Sequence, residues 1–241
     1  MNPIIAVFKR EFLGYFRSPI AYVFLVVFLI ISLGLPWFLG GFFSSRDTNL
    51  NSFFVFAPWI FLFLIPAVGM RLWAEEKKSG TWELLLTLPL KTSQAVLGKF
   101  FAGWAFISLA IVLTFTMPVT IAYLGNPDWG PVVSGYLGSI LMAGCYLSIC
   151  SLTSSLTKNQ VISFVISVII CFVLVLLGWS IFNNLLLTLD WPVWFIDTVA
   201  GFSFIPNFDP LVKGLVTLKS VVFFISLMAF CLCLNILVLE R

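Results

Sequence analysis

Apolar residues run through this chain in long stretches, and the polar residues collect in the short gaps between them. Six stretches have the roughly 20 residues a helix needs to cross a bilayer. They are Ile20–Phe43, Phe53–Trp73, Ala95–Leu124, Val132–Leu156, Val161–Phe182 and Leu218–Leu239. The pattern predicts an all-α, polytopic membrane protein with six transmembrane helices in a single domain, 1–241.

Two further regions carry apolar residues without spanning. Ahead of the first span, Ile4, Ile5, Phe8, Phe12, Tyr15 and Phe16 recur at helical spacing, while Lys9, Arg10 and Arg17 fall on another sector. That predicts an amphipathic helix over residues 1–19, lying in the membrane interface with its cations near anionic lipid headgroups. Ser18-Pro19 should break it from the first span. The pattern fits a surface anchor and equally a helix that also touches a partner. Between spans five and six, residues 183–217 hold Trp191, Trp194, Phe195, Phe202, Phe204 and Phe208 but are interrupted by Pro192, Pro206 and Pro210. Short helices in or dipping into the outer interface are expected there. Asp209-Pro210 reads as an N-cap followed by proline at the first helical position, and Thr217 as a cap for the last span.

Composition closes off the soluble alternative. The chain is 61% hydrophobic and 10% charged, with a mean hydropathy of +1.11, whereas soluble domains are about 25% charged. There is no histidine, so the commonest metal ligand and neutral-pH proton shuttle is missing. Cys145, Cys150, Cys171, Cys231 and Cys233 lie inside apolar runs and read as small hydrophobes. No metal or cofactor is expected on this chain, and no nucleic-acid partner. The N-terminal apolar stretch is short and is followed by Lys9 and Arg10, so the first span is expected to serve as an uncleaved signal. With both termini in the cytoplasm, ten cations lie inside (Lys9, Arg10, Arg17, Arg71, Lys77, Lys78, Lys91, Lys99, Lys158, Arg241) and three outside (Arg46, Lys213, Lys219). That bias favours this orientation.

Catalytic chemistry finds no support. The only Gly-Lys pair is Gly98-Lys99; Phe100 follows it and Ser93 stands where a P-loop needs its first glycine. Lys99 reads as a cation at the inner end of span three. No span carries the Ser/His pair, paired aspartates or zinc motif of a membrane protease. Scarce intramembrane charge also disfavours a proton-coupled carrier.

Span four carries Gly135, Ser139 and Ala143 four residues apart, a pattern for close helix packing within a subunit or at a dimer interface. Its hydroxyl cluster, Ser148, Ser151, Thr153, Ser154, Ser155 and Thr157, could line a wet path or hydrogen-bond its own helix. Pro58, Pro66 and Pro118 should kink spans two and three.

The densest charge in the chain falls at the end of span two. Arg71, Glu75, Glu76, Lys77, Lys78 and Glu83 lie within one short stretch. Gly80 can end the helix that carries the first five. Thr81 can cap a new one, with Glu83 in its first turn. Leu84, Leu85, Leu86 and Leu88 follow, and Pro89 ends it. A helix of two turns is marginal alone, so its leucines need the bilayer, a neighbouring helix or a partner protein.

This stretch resembles the permease subunits of bacterial ABC-2 type transporters. The likeness rests on Glu75-Glu76-Lys77-Lys78-Ser79-Gly80-Thr81-Trp82-Glu83-Leu84-Leu85-Leu86, then Pro89-Leu90 and Leu97-Gly98-Lys99. Trp82 departs from it, standing where the family usually has an aliphatic residue. Ser18-Pro19-Ile20-Ala21-Tyr22-Val23-Phe24 and the stretch from Phe208-Asp209-Pro210 through Lys213-Gly214 to Phe223-Phe224 resemble the gliding-motility-type branch.

The resemblance implies an ABC-2, type V exporter-like fold at the bacterial inner membrane. It implies a dimer with a second copy or a paralogue, on separate ATP-binding subunits that hold the ATP and Mg. Residues 74–94 would be the coupling loop, with Glu75, Glu76, Gly80, Thr81, Trp82, Glu83, Leu84, Leu85 and Leu86 as contacts. Residues 1–19 would be the connecting helix, with Phe8, Lys9, Arg10 and Phe12 on it. ATP-driven export is the expected activity, with an amphipathic or lipid-like cargo. The alternative is a mechanical or assembly component that moves no solute. An outer auxiliary protein could meet residues 183–217.

Overall fold

A computed structural model describes residues 3–39, 50–80, 91–125, 127–189 and 191–240. Every regular element among them is an α-helix. We label these α1 (Pro3–Arg17), α2 (Pro19–Phe38), α3 (Asn51–Gly69), α4 (Arg71–Ser79), α5 (Thr92–Leu113), α6 (Thr116–Leu124), α7 (Trp129–Leu156), α8 (Gln160–Leu176), α9 (Ser180–Thr188), α10 (Val193–Gly201), α11 (Phe204–Val212) and α12 (Leu218–Leu239).

Five stretches are long and apolar enough to cross a membrane: Pro19–Phe38, Phe53–Ser79, Thr92–Tyr123, Trp129–Leu156 and Leu218–Leu239. The pair α8 and α9 passes the same test of length and apolarity when taken together, and bends by 67° at its junction. Counted as one span, that pair brings the total from five to the six of the apolar runs. α1 ends at Arg17, Ser18 is extended (φ −98°, ψ 128°), and Pro19 opens α2, as a proline at the first helical position should.

α7 is the centre of the bundle and packs against α3, α4, α5, α8, α11 and α12. Small residues make that possible, because missing side chains let neighbours approach closely. A Cβ on Gly135 would strike the Phe54 ring, one on Gly138 would meet Leu211 and Phe208, and one on Gly144 would meet Met228 and Trp104. Ser139 and Ala143 are buried beside them. The small-residue stripe is thus filled by this chain's own side chains.

α1 packs mainly on α5. Val7 lies against Gly98, where a Cβ would meet it at 2.8 Å. Tyr15 stacks on Phe106 with ring centres 4.7 Å apart, and Phe16 meets the same ring edge-on at 5.9 Å. The apolar side of the amphipathic helix therefore faces span three, and Lys9 and Arg17 stay exposed.

Residues 183–217 do not form one surface layer. α10 is exposed, with Val193 at 60% and Trp194 at 70%. α11 is folded into the core through Phe204, Phe208, Leu211 and Val212. The sequence-based cap at Asp209-Pro210 is corrected here. Ser203 caps α11, its hydroxyl accepting from the Ile205 N–H at 3.4 Å, and Asp209 and Pro210 lie in the last turn. Pro206 occupies the first turn, where a missing N–H leaves no helical bond broken. Asn207 fastens that turn by donating to the carbonyls of Gly201 and Ser203. Thr217 caps α12, its hydroxyl accepting from the Ser220 N–H.

Two spans break along their length. Span two breaks at Met70, between α3 and α4, and span three at Thr114–Phe115, between α5 and α6. Pro118 stands four residues after Thr114 and cannot donate the helical bond to its carbonyl, since proline lacks an N–H and crowds the preceding turn. Pro66 lies before the Met70 break, and the Met70 N–H bonds its carbonyl. Pro58 sits inside α3 without ending it.

Candidate functional site

α4 carries the charge-rich stretch, and its position follows from how its ends are satisfied. At its start Met70 offers no side-chain cap, so the first-turn N–H groups need acceptors from elsewhere. Ser154 of α7 supplies one. Its hydroxyl accepts from the N–H of Trp73 at 3.0 Å and of Ala74 at 2.9 Å, and donates to the Met70 carbonyl at 2.9 Å. A residue 80 positions away in sequence thus caps the helix. At its end Gly80 adopts φ +74°, ψ 0°, the left-handed conformation that glycine takes without a Cβ penalty.

One face of α4 is buried. Leu72, Trp73 and Ala74 turn inward. The Trp73 indole N–H donates to the Ser151 hydroxyl at 3.1 Å, which also accepts from Asn235 of α12 at 2.6 Å. Lys77 donates to the Ser155 carbonyl. On the outer face Arg71 and Glu75 form an exposed pair at 2.9 Å, which contributes little to stability.

The ion cluster lies beside Trp73. Lys99, in the second turn of α5, is 2% exposed. Its Nζ lies 2.7 Å from Glu76 of α4 and 3.2 Å from Glu11 of α1, and 5.2 Å from the centre of the Trp73 ring. Arg10 holds the same Glu11 oxygen at 2.7 Å. Two cations and two carboxylates therefore balance. A buried ammonium is tolerable only when paired in this way. Burial alone would raise the Glu11 carboxyl, but Lys99 and Arg10 outweigh it and hold it below the usual carboxylate range. Three helices from separate parts of the chain meet at one ammonium. The cluster sits on the two described helices that flank residues 81–90.

The structure separates the sequence-derived candidates. Glu76 is in the cluster, Glu75 is not, and Gly80 ends α4. Arg10 enters through Glu11. Phe8 and Phe12 stack on each other along α1 at 5.6 Å, and Lys9 is exposed. Thr81, Trp82, Glu83, Leu84, Leu85 and Leu86 lie outside the described residues. The hydroxyl cluster divides too. Ser148, Thr153 and Ser155 donate to their own helix, at the carbonyls of Cys145, Cys150 and Leu152, and Thr153 also meets the Ser167 hydroxyl of α8. Ser151 and Ser154 bridge to other helices. Sequence reasoning missed Glu11 and Asn235, read Trp73 only as the end of a span and Ser151 and Ser154 only as members of a hydroxyl group, and treated Lys99 as an end-of-helix cation. One signal was available. Lys99 stands in an apolar run with no acid on its own helix, so acids from other segments had to meet it.

Among the described residues no cluster of histidine, cysteine and acidic side chains could hold a metal ion. The family model described as ABC-2 family transporter protein matches residues 5–190, from α1 to the end of α9. No curated protein matches the chain. The chain belongs to the ABC-2 transporter family and is a multi-pass membrane protein.

Proposed function

We propose that this ABC-2 permease is the membrane subunit of an ATP-driven exporter, and that residues 81–90 dock a separate ATP-binding subunit. That partner would hold ATP and Mg, and this chain would hydrolyse nothing. The permease would pair with a second copy or a paralogue in a bacterial inner membrane, with both termini and the α1 end of the bundle in the cytoplasm. The preponderance of cations on that side supports this orientation.

The observation that carries the reading is the Lys99 cluster. A partner pushing on the segment that leaves Gly80 would load α4. From there the load has two rigid routes inward. One runs through Glu76 and Lys99 to span three, taking α1 with it. The other runs through Ser151 and Ser154 to span four. A loop lying loosely on a bilayer would need neither. The apolar spans, and the absence of buried charge outside this cluster among the described residues, favour an amphipathic or lipid-like cargo over a small ion.

The test is a detergent pull-down of the tagged permease, wild type beside Leu85→Glu with Leu86→Glu. Wild type should bring down a stoichiometric P-loop ATPase, and the variant should elute at the same size without it. ATPase binding unchanged in a folded variant would sink the docking assignment. ATPase activity that rises with an added amphipathic solute supports export. Activity that ignores solutes and answers only to an outer partner would replace export with a mechanical role.

A further inference from the structure

α2, α3, α5 and α7 meet around a small cavity beside the break in span three. Most of its wall is apolar, Phe28, Phe61 and Ile111 among the lining residues, but Ser32, Thr114 and Ser139 also face it. All three hydroxyl residues are buried. Ser32 is the anomaly, because its hydroxyl has no hydrogen-bond partner among the described residues. A buried hydroxyl left in that state is costly.

The hydrogen-bonding capacity around the cavity is unevenly used. Ser139 donates its proton to the Gly135 carbonyl at 2.8 Å, which leaves its oxygen free to accept. Thr114 donates to the Ile111 carbonyl at 2.6 Å and meets the Tyr136 hydroxyl at 3.0 Å. With the threonine proton committed, Tyr136 is the donor of that pair, and one lone pair of Thr114 remains. Ser32 keeps its proton. The walls therefore offer one donor and two acceptors. The space among them is ≈ 20 Å³, and a buried water needs about 10–15 Å³ on the same measure and makes about three hydrogen bonds.

We propose that this cavity is a binding site for one structural water. The water accepts from Ser32 and donates to Ser139 and Thr114, tying α2 and α7 to the last turn before span three breaks. The inference is independent of the docking assignment.

Hydroxyl-radical labelling by a microsecond X-ray pulse tests it on the full chain, because activated bound water oxidises the side chains around it. Phe28 and Phe61 are 1% and 3% exposed, so bulk solvent should not reach them. Both rings should be labelled in the wild type, and the label should be lost in Ser32→Ala with Ser139→Ala. Absence of label in the wild type overturns the proposal, and so does label that persists in the folded double variant. If that variant fails to fold, a high-resolution map of the wild type decides. A peak within hydrogen-bond distance of all three hydroxyls supports the site. Ser32 turned onto the Phe28 carbonyl with no peak overturns it.

Discussion

The two broken spans make a comparison, because α7 lies beside both breaks and meets them in different ways. At Met70 the freed groups of span two are met by Ser154, and ions crowd alongside. At Thr114–Phe115 the matching element is Tyr136, whose hydroxyl lies 3.0 Å from Thr114 among apolar neighbours. Both side chains come from α7, but only Ser154 bonds backbone groups at its break, while Tyr136 meets the side chain of Thr114. Backbone groups released inside a membrane span must be satisfied by protein, because lipid supplies no partner. The first break lies two turns from a helix end, where charged heads can be gathered and paired. The second lies as near to the end of its own span, but α6 carries no charge and neutral hydroxyls stand beside it. Neutral hydroxyls thus stand at both breaks, and among the described residues ion pairs crowd beside the first alone.

The largest effect should come from the ion cluster. Lys99→Met leaves Glu11 and Glu76 facing each other with Arg10 alone, and removal of one partner from a buried pair costs about 3–5 kcal/mol. Thermal unfolding in detergent should show the loss, and adding Glu76→Leu should restore much of it. A loss no greater than that of a surface substitution would mean that the cluster is not shielded from water. Acid should give a weaker version of the same loss. The Glu11 carboxyl is depressed in the folded chain, so its contribution is full above the unfolded carboxylate pKa and fades as pH falls through the folded one. Hydrogen exchange of α1 should rise in that window, and Glu11→Gln should flatten the response.

Ser154→Ala comes next. It strips the acceptor from two buried N–H groups, at a cost of about 1–3 kcal/mol. Faster amide exchange at Trp73 and Ala74, with α5 unchanged, is the expected signature. Exchange that stays slow would show that another acceptor moves in. Tyr136→Phe should be the mildest, since hydrogen bonds between membrane helices average about 0.6 kcal/mol. A penalty as large as that of Ser154→Ala would erase the distinction between the two breaks.

Part of this was visible in the order of residues. The six apolar runs, the break at Ser18-Pro19, the stop at Gly80 and the cap at Thr217 all reappear in the fold. The cap at Asp209-Pro210 does not, because Ser203 offered an earlier start and burial of Phe204 and Phe208 drew the helix inward. The hydroxyls of span four could be read only as a group. Which of them turn to their own backbone and which reach across to α4 depends on rotation about the helix axis, and neighbouring serines differ in that rotation by 100°, the angle of one residue in a helix.

What the sequence determined alone is one-dimensional: which stretches of chain are apolar enough to span, and which sector of α1 is oily. Bilayer thickness fixes span length, and inside an unbroken helix the backbone groups satisfy one another, so these features are local. Only the tertiary structure decided the partners. Lys99 meets Glu76 across 23 residues and Glu11 across 88. A buried charge requires some counter-charge, but the choice belongs to whichever helices Gly98 and the α7 glycines allow to come close.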